Sequence, residues 1–565
     1  MKEKSRALRA YIREALLLVG VSAIATPVFA VGPVVPGAGT LMQEVPQAPQ
    51  EPSNDNTGLN LPTRPAKTST SPETFEAKQI VIDGNTRIDT GVLHDLVRDD
   101  EGKSLTLGQL QRDAQRLTDY YHKQGYPLSR VVIPAQSFED GVVHLRVLEA
   151  VYGKISLNNL SDARSGTLQS ELSRLQSNAP ITESDLERVL LLLSDVPGIQ
   201  ATGNLTPGSS VGQTDMEVVA ASTARATGAI TADNYGNNYT GNGRLGGAMT
   251  VNELLGIGDQ LQANGLTSGP GMNYARLGYD LLANPSLPGG GTRVGAAVSD
   301  LAYSLGGPLG GLKGQGTASV SSLWARQPFL RSQTVNLYGQ AEFDYKRLSD
   351  QTVSTLTNRH LDNGVLSMNG DERDGWMSGG VGMMNASWTG GRVTFDNLAA
   401  LSADTASARE SGAFGKWNGS MTRLQNLGSE TAQLYLSVSG QWAQKNLDPM
   451  EQLVVGGPYS VRGYDMGVLS ADSGVLETAE GRYRLSDHWQ AVVFGDSERI
   501  AVSVNPFAPG TNGATLSGAG VGMNWTSGGA WQGKMYVANR LGAVPSQLAG
   551  TPVSTLVWGE LSRGF

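Results

Sequence analysis

Between Val335 and Lys346 the chain alternates without a break. Val335, Leu337, Gly339, Ala341, Phe343 and Tyr345 fall on one face, and Asn336, Tyr338, Gln340, Glu342, Asp344 and Lys346 on the other. Gln433 to Trp442 repeats the rule, with Leu434, Leu436, Val438, Gly440 and Trp442 set against Gln433, Tyr435, Ser437, Ser439 and Gln441. A period of two with one apolar side describes strands that face lipid or a core on one side and water on the other. The rule holds over residues 224–565. At about 10 residues per tilted strand plus turns, that length serves about 16 strands, too many for one soluble sandwich. A transmembrane antiparallel β-barrel is expected there.

Upstream, helical periods appear. Thr106 and Gln109 form a capping box, and Leu110, Ala114, Leu117 and Tyr121 then share one helix face that Gly125 ends. A short strand in KQIVIDGNTRI precedes this helix, and two strands joined by Glu139-Asp140-Gly141 follow it. The order recurs at once. Leu105–Asp113 (LTLGQLQRD) and Ile181–Val189 (ITESDLERV) are register marks of a tandem repeat, with Thr182 and Asp185 repeating the cap and Leu186, Leu190 and Leu193 the face. Two small α+β modules are therefore expected, at 73–150 and 151–223.

The amino-terminal 72 residues differ again. Residues 1–30 place Lys2, Lys4, Arg6, Arg9 and Arg13 before an apolar run and Val28-Phe29-Ala30, the order of a secretory signal peptide. Residues 31–72 are rich in Pro, Gly, Gln, Asn and Ser and read as a linker, with Gly39–Val45 its one stretch able to form a short helix, a candidate plug for a pore.

Composition narrows the function. After residue 30 no apolar run is long enough for a helical membrane span, although hydrophobic residues are 39% of the chain. A net charge of -9 gives no basic footprint, so nucleic acid is not an expected partner. There is no cysteine, hence no disulfide or thiolate chemistry. The five histidines, His94, His122, His144, His360 and His488, lack metal-ligand spacing. Gly102-Lys103-Ser104 ends like a phosphate-binding loop, but Val97 stands where that loop needs glycine, and Gly518-Ala-Gly-Val-Gly522 lies on a strand. No catalytic, cofactor or metal site is expected, and the chain does not read as an enzyme.

The stretch GGPYSVRGYDMG (Gly456 to Gly467) carries Val461, Arg462, Gly463 and Tyr464 in a glycine-lined loop. With two tandem modules, a barrel and this loop, the chain resembles the two-partner secretion transporters (TpsB type) of the Omp85 superfamily, exporters of the haemolysin and filamentous haemagglutinin kind. Further matches are Ala232–Gly241 followed by Leu255–Gln262, similar to the family's first barrel hairpin, and Leu516–Trp525, similar to a late strand. The ending TLVWGELSRGF resembles an outer-membrane barrel signature, with Val557, Leu561 and Phe565 on one face and Arg563 as a departure.

The resemblance implies that the modules are periplasmic POTRA domains and that the barrel lies in the bacterial outer membrane as a monomer in lipid. It implies a pore exporting one large partner exoprotein (TpsA type: adhesin, haemolysin or contact-dependent toxin) in unfolded form. It also implies that Arg462 reaches an aspartate on a neighbouring strand and latches the loop inside the barrel. Asp496, with Phe494, matches the family's Phe-x-Asp-x-Gly strand motif; Glu498 stands in place of its glycine and is an alternative partner, and Asp465 is a local one. Two other functions stay open at this point: an Omp85-type factor that inserts other outer-membrane proteins, and an outer-membrane enzyme or passive porin.

Overall fold

A computed structural model describes residues 35–46, 52–60, 71–283, 287–548 and 553–565. The expected signal peptide lies outside the described residues. In the segment after it, the described residues form a short helix, α1 (Ala38–Gln43), and a two-residue strand, β1 (Leu59–Asn60).

The first module comprises β2 (Thr74–Ala77), β3 (Gln79–Asp83), α2 (Thr90–Asp95), β4 (Lys103–Thr106), α3 (Leu107–Lys123), β5 (Arg130–Val132) and β6 (Val142–Leu148). The Thr106 hydroxyl accepts from the Gln109 amide, and the Gln109 side chain closes the capping box. Helix α3 then buries Leu110, Leu117 and Tyr121 against the three-stranded sheet β3-β6-β5. Gly125 ends it in the left-handed conformation (φ 84°) that glycine adopts without a Cβ clash.

The second module repeats the plan with β7 (Val151–Leu160), α4 (Ser165–Leu172), α5 (Glu183–Ser194), β8 (Ile199–Pro207) and β9 (Gln213–Ser222). Thr182 caps α5 by accepting from the Asp185 amide, and Leu186, Leu190 and Leu193 are fully buried. Its sheet runs β1-β8-β9-β7, so the linker strand forms one edge, parallel to β8.

Sixteen strands follow and close on themselves. They are β10 (Ala226–Asp233), β11 (Arg244–Asn252), β12 (Gln260–Thr267), β13 (Met272–Leu282), β14 (Arg293–Ser304) and β15 (Gln315–Arg331). Next come β16 (Val335–Gln351), β17 (Leu356–Asp374), β18 (Gly380–Phe395), β19 (Gly412–Asn426) and β20 (Ala432–Ala443). Between β20 and the next barrel strand the chain makes a small hairpin, β21 (Leu453–Val455) and β22 (Leu469–Ala471). The barrel is completed by β23 (Ser473–Arg484), β24 (Trp489–Ala501), β25 (Gly513–Thr526), β26 (Trp531–Leu541) and β27 (Thr555–Gly564), and β27 pairs antiparallel with β10.

Burial along these strands is the reverse of a soluble protein's. Phe343, Val438 and Trp442 are about half exposed, whereas Asp344 and Lys346 are 8% exposed and Asn363 not at all. Apolar side chains outside and charged ones inside define a lipid-facing surface around a polar lumen. Val557, Leu561 and Phe565 are exposed on that outer face. Arg563 shares it, but it lies two residues from the chain end with its guanidinium 5.4 Å from the Trp531 ring, a rim position where a long cation reaches the interface.

The second module is docked on the barrel turns. Arg331 at the end of β15 holds Asp195, just after α5, through Nε and Nη2, both at 2.7 Å. Arg188 on α5 donates to the carbonyls of Gly289, Pro328 and Phe329.

Candidate functional site: a loop and a helix inside the barrel

The chain between β20 and β23 folds into the barrel. Gly456, Gly457 and Gly467 all have positive φ (87°, 97° and 65°) and reverse the chain at both ends of the stretch that carries Arg462. Arg462 Nε donates to Asp496 Oδ2 at 2.8 Å and Nη2 to Asp496 Oδ1 at 2.7 Å, a bidentate fork onto β24. Nη1 donates to Glu480 Oε1 on β23 at 2.7 Å. The Arg462 backbone amide also points at Asp496 Oδ2, at 3.2 Å. The guanidinium stacks 3.5 Å above the Phe494 ring, with the Tyr536 ring 5.4 Å away and edge-on to Phe494. All of this is buried: Arg462 is 5% exposed, Asp496 4% and Glu480 6%.

The other named residues fall around this pair. Glu498 accepts from the Ser460 hydroxyl rather than from Arg462. Arg462's carboxylate partners are Asp496 and Glu480, and Asp465 is not among them. Val461 and Tyr464 are buried in a cluster with Val455, Leu469, Ile500 and Leu516. Gly463 is needed for proximity, not for a special torsion: a Cβ there would sit 3.0 Å from Arg540 Cα on β26, and one on Gly518 would sit 3.0 Å from the Gly463 nitrogen. The glycine-rich strand that reads as a weak nucleotide motif thus clears a path for the loop.

Several residues that sequence reasoning missed complete the site. Glu480 is the second carboxylate, itself held by Arg482 at 2.7 and 2.9 Å. The Trp558 indole on β27 donates to the Arg462 carbonyl at 2.8 Å. Tyr235, from the first-hairpin motif, packs edge-on against both Tyr459 and Trp558.

A second element shares the lumen. Helix α1 lies against Leu301, Tyr303, Leu348, Leu361, Phe414 and Met450, burying Ala38, Leu41 and Met42. The Ala38 amide donates to Asp350 at 2.7 Å, and Arg244 Nη1 donates to the Glu44 carbonyl at 3.4 Å. Asn237, again from the first-hairpin motif, joins helix and loop: its Nδ2 donates to Glu44 Oε1 at 2.9 Å and to the Met466 carbonyl at 3.3 Å.

Two sheet modules in series, a closed barrel and a loop pinned to its inner wall define an outer-membrane transporter of the Omp85 type, with the barrel in the bacterial outer membrane and the modules in the periplasm. The family described as "Haemolysin secretion/activation protein ShlB/FhaC/HecB" matches residues 212–483, and the ShlB-type POTRA domain matches residues 75–150. Together the two matches span most of the chain, which is similar to the two-partner secretion transporters, exporters of a partner protein across the outer membrane. It is 27% identical over 541 residues to the heme/hemopexin transporter protein HuxB of Haemophilus influenzae, covering 90% of this chain and 91% of that one. It is 25% identical over 409 residues to the outer membrane transporter CdiB of Dickeya dadantii, covering 69% and 68%. In fold it is similar to the solved structure of CdiB from Escherichia coli (TM-score 0.68, 21% identity, 89% of this chain and 93% of that chain).

Proposed function

We propose that this transporter passes its partner exoprotein, a large adhesin, haemolysin or contact-dependent toxin, through the barrel as an unfolded chain, and that Arg462 latches the inward loop while it does so. The observation that carries the latch is the buried fork of Arg462 on Asp496, backed by Glu480 and the Phe494 ring. Removing one partner from such a buried pair typically costs about 3–5 kcal/mol, enough to release a loop from a wall. The chain acts as a channel and not as an enzyme. A single copy in lipid suffices, because one chain closes the whole sheet and its outer face is apolar.

The working division is residues 1–30 as signal peptide, 31–72 as linker with a plug helix, 73–150 and 151–223 as POTRA domains and 224–565 as barrel. It is supported by the change from helical to alternating period and by the place of α1 in the lumen.

The test compares proteins released by cells with and without the gene, with total outer-membrane barrels quantified from the same cultures. Loss of one large secreted protein with barrels unchanged is the expected outcome. A general fall in barrels would mean an assembly factor instead.

A further inference from the structure

Upstream of Arg462 the same loop carries a second set of buried charges. Its ascending limb, residues 447–452, is fastened to a different arc of the barrel wall. Glu451 Oε1 accepts from Lys346 Nζ on β16 at 2.8 Å and from Asn363 Nδ2 on β17 at 2.7 Å, and Lys416 Nζ on β19 lies 2.9 Å from Glu451 Oε2. The Glu451 carbonyl accepts from Lys416 at 2.8 Å and from Gln441 on β20 at 2.9 Å. Asp448 accepts from Arg359 on β17, whose Nη1 also donates to Asp350 at 2.7 Å. Glu451 is 2% exposed and Asp448 fully buried.

This limb is the shelf under α1. Leu447 and Met450 belong to the apolar bed of the helix. Gly39 presses on the limb backbone, where a Cβ would lie 2.6 Å from the Met450 nitrogen, and Gln43 Nε2 donates to the Met450 carbonyl. Asp350, which accepts from the Ala38 amide, is tied to the limb through Arg359. Because Met450 directly precedes Glu451, any shift of the Glu451 carboxylate is passed to the surface on which the helix rests.

The charges at this anchor are unevenly shared. Among the described residues Lys346 has a second carboxylate, Asp344 at 3.6 Å, whereas the ion pair of Lys416 is with Glu451 alone. Lys416 is as buried as Lys346. A buried cation that loses its one counter-ion is strongly destabilised, because nothing else at the site replaces its lost hydration.

We infer that Glu451 is a positioning residue for pore closure: it holds the limb that seats α1, and it does so independently of the latch at Arg462. The two anchors share no wall strand. Side chains of β16, β17, β19 and β20 hold Glu451 and Asp448, while those of β23, β24 and β27 hold Arg462. The tip thus fixes the loop to the wall, and the limb decides whether the helix has a seat. The inference rests on the reading of α1 as a plug and adds the residue on which its seating depends.

The test measures ion conductance of the full-length chain in planar lipid bilayers, with protease cleavage of the loop tip as the measure of the latch. Glu451→Gln keeps the side-chain shape and removes the charge. It should raise mean conductance about threefold, comparable to Leu41→Ala, while the tip stays protected. Adding Lys416→Met removes the stranded cation and should bring conductance back to within about twofold of the parent chain. Damage to packing alone would not be repaired by a second substitution at the same site, so recovery separates positioning by charge from a structural defect. Heat-modifiable migration checks that each barrel is folded.

A rise in Leu41→Ala with none in Glu451→Gln would overturn the inference and leave the plug in place. Cleavage of the tip in Glu451→Gln would overturn the independence of the two anchors, and failure of Lys416→Met to restore closure would overturn charge as the cause. No rise in Leu41→Ala would overturn the plug reading and this inference with it. No exported protein takes part, so none of these outcomes depends on the export function.

Discussion

The Arg462 loop and helix α1 occupy the same lumen by different means. The loop sets one guanidinium against two carboxylates on adjacent strands, stacks it on Phe494 and lets Trp558 hold its carbonyl. The helix has six residues and rests on Ala38, Leu41 and Met42 in an apolar bed, with Asp350 accepting at its amino end and, at its carboxyl end, Gln43 donating to Met450 and Arg244 and Asn237 donating to Glu44. Charge-assisted bidentate bonds are directional and fail all at once when a partner is lost, whereas apolar contact weakens in proportion to area. The difference teaches which element can leave repeatedly. A short apolar helix on a tether can detach and return, while the loop is built to stay on the wall.

Substitutions can break or sharpen this contrast. Arg462→Ala should have the largest effect, about 3–5 kcal/mol of lost loop anchoring, read as at least a tenfold fall in export with heat-modifiable barrel migration unchanged. Normal export by that variant would remove the latch. Leu41→Ala should cost about 2–5 kcal/mol of helix docking and raise the ion conductance of the reconstituted barrel, with export kept within about twofold. A greater loss of export from Leu41→Ala than from Arg462→Ala would invert the contrast.

Glu480→Gln neutralises the carboxylate shared by Arg462 and Arg482, weakening charge-assisted bonds of about 1.5–3 kcal/mol each, and leaves the fork on Asp496. It should make the loop more sensitive to protease while export persists. Asn237→Ala should cost about 1 kcal/mol and act on both elements, raising conductance and loop cleavage together. Movement of only one readout would show that Asn237 does not couple them.

The parts legible in the sequence are those written in local periods. The caps at Thr106 and Thr182, the faces of α3 and α5 and the alternation of β16 and β20 need only neighbours within a turn or two, and they stand in the structure as read. Glu480 was out of reach because its nearness to Arg462 depends on the register of β23 against β24, where Thr478 faces Asp496 and places Glu480 one step along the same inward face. Gly518 looked like loose glycine content because the backbone that presses on it comes from a loop more than fifty residues away. Strand β1 is two residues long, too short to show any alternation, and it exists only because β8 offers an edge.

The parallel pairing of β1 with β8 also carries a polarity. The linker runs from α1 in the lumen down to the second module, so its amino end points outward and its carboxyl end toward the periplasm. The two-residue strand thereby works as a hinge pin: it fastens the segment that comes from the lumen to the edge of the second module's sheet.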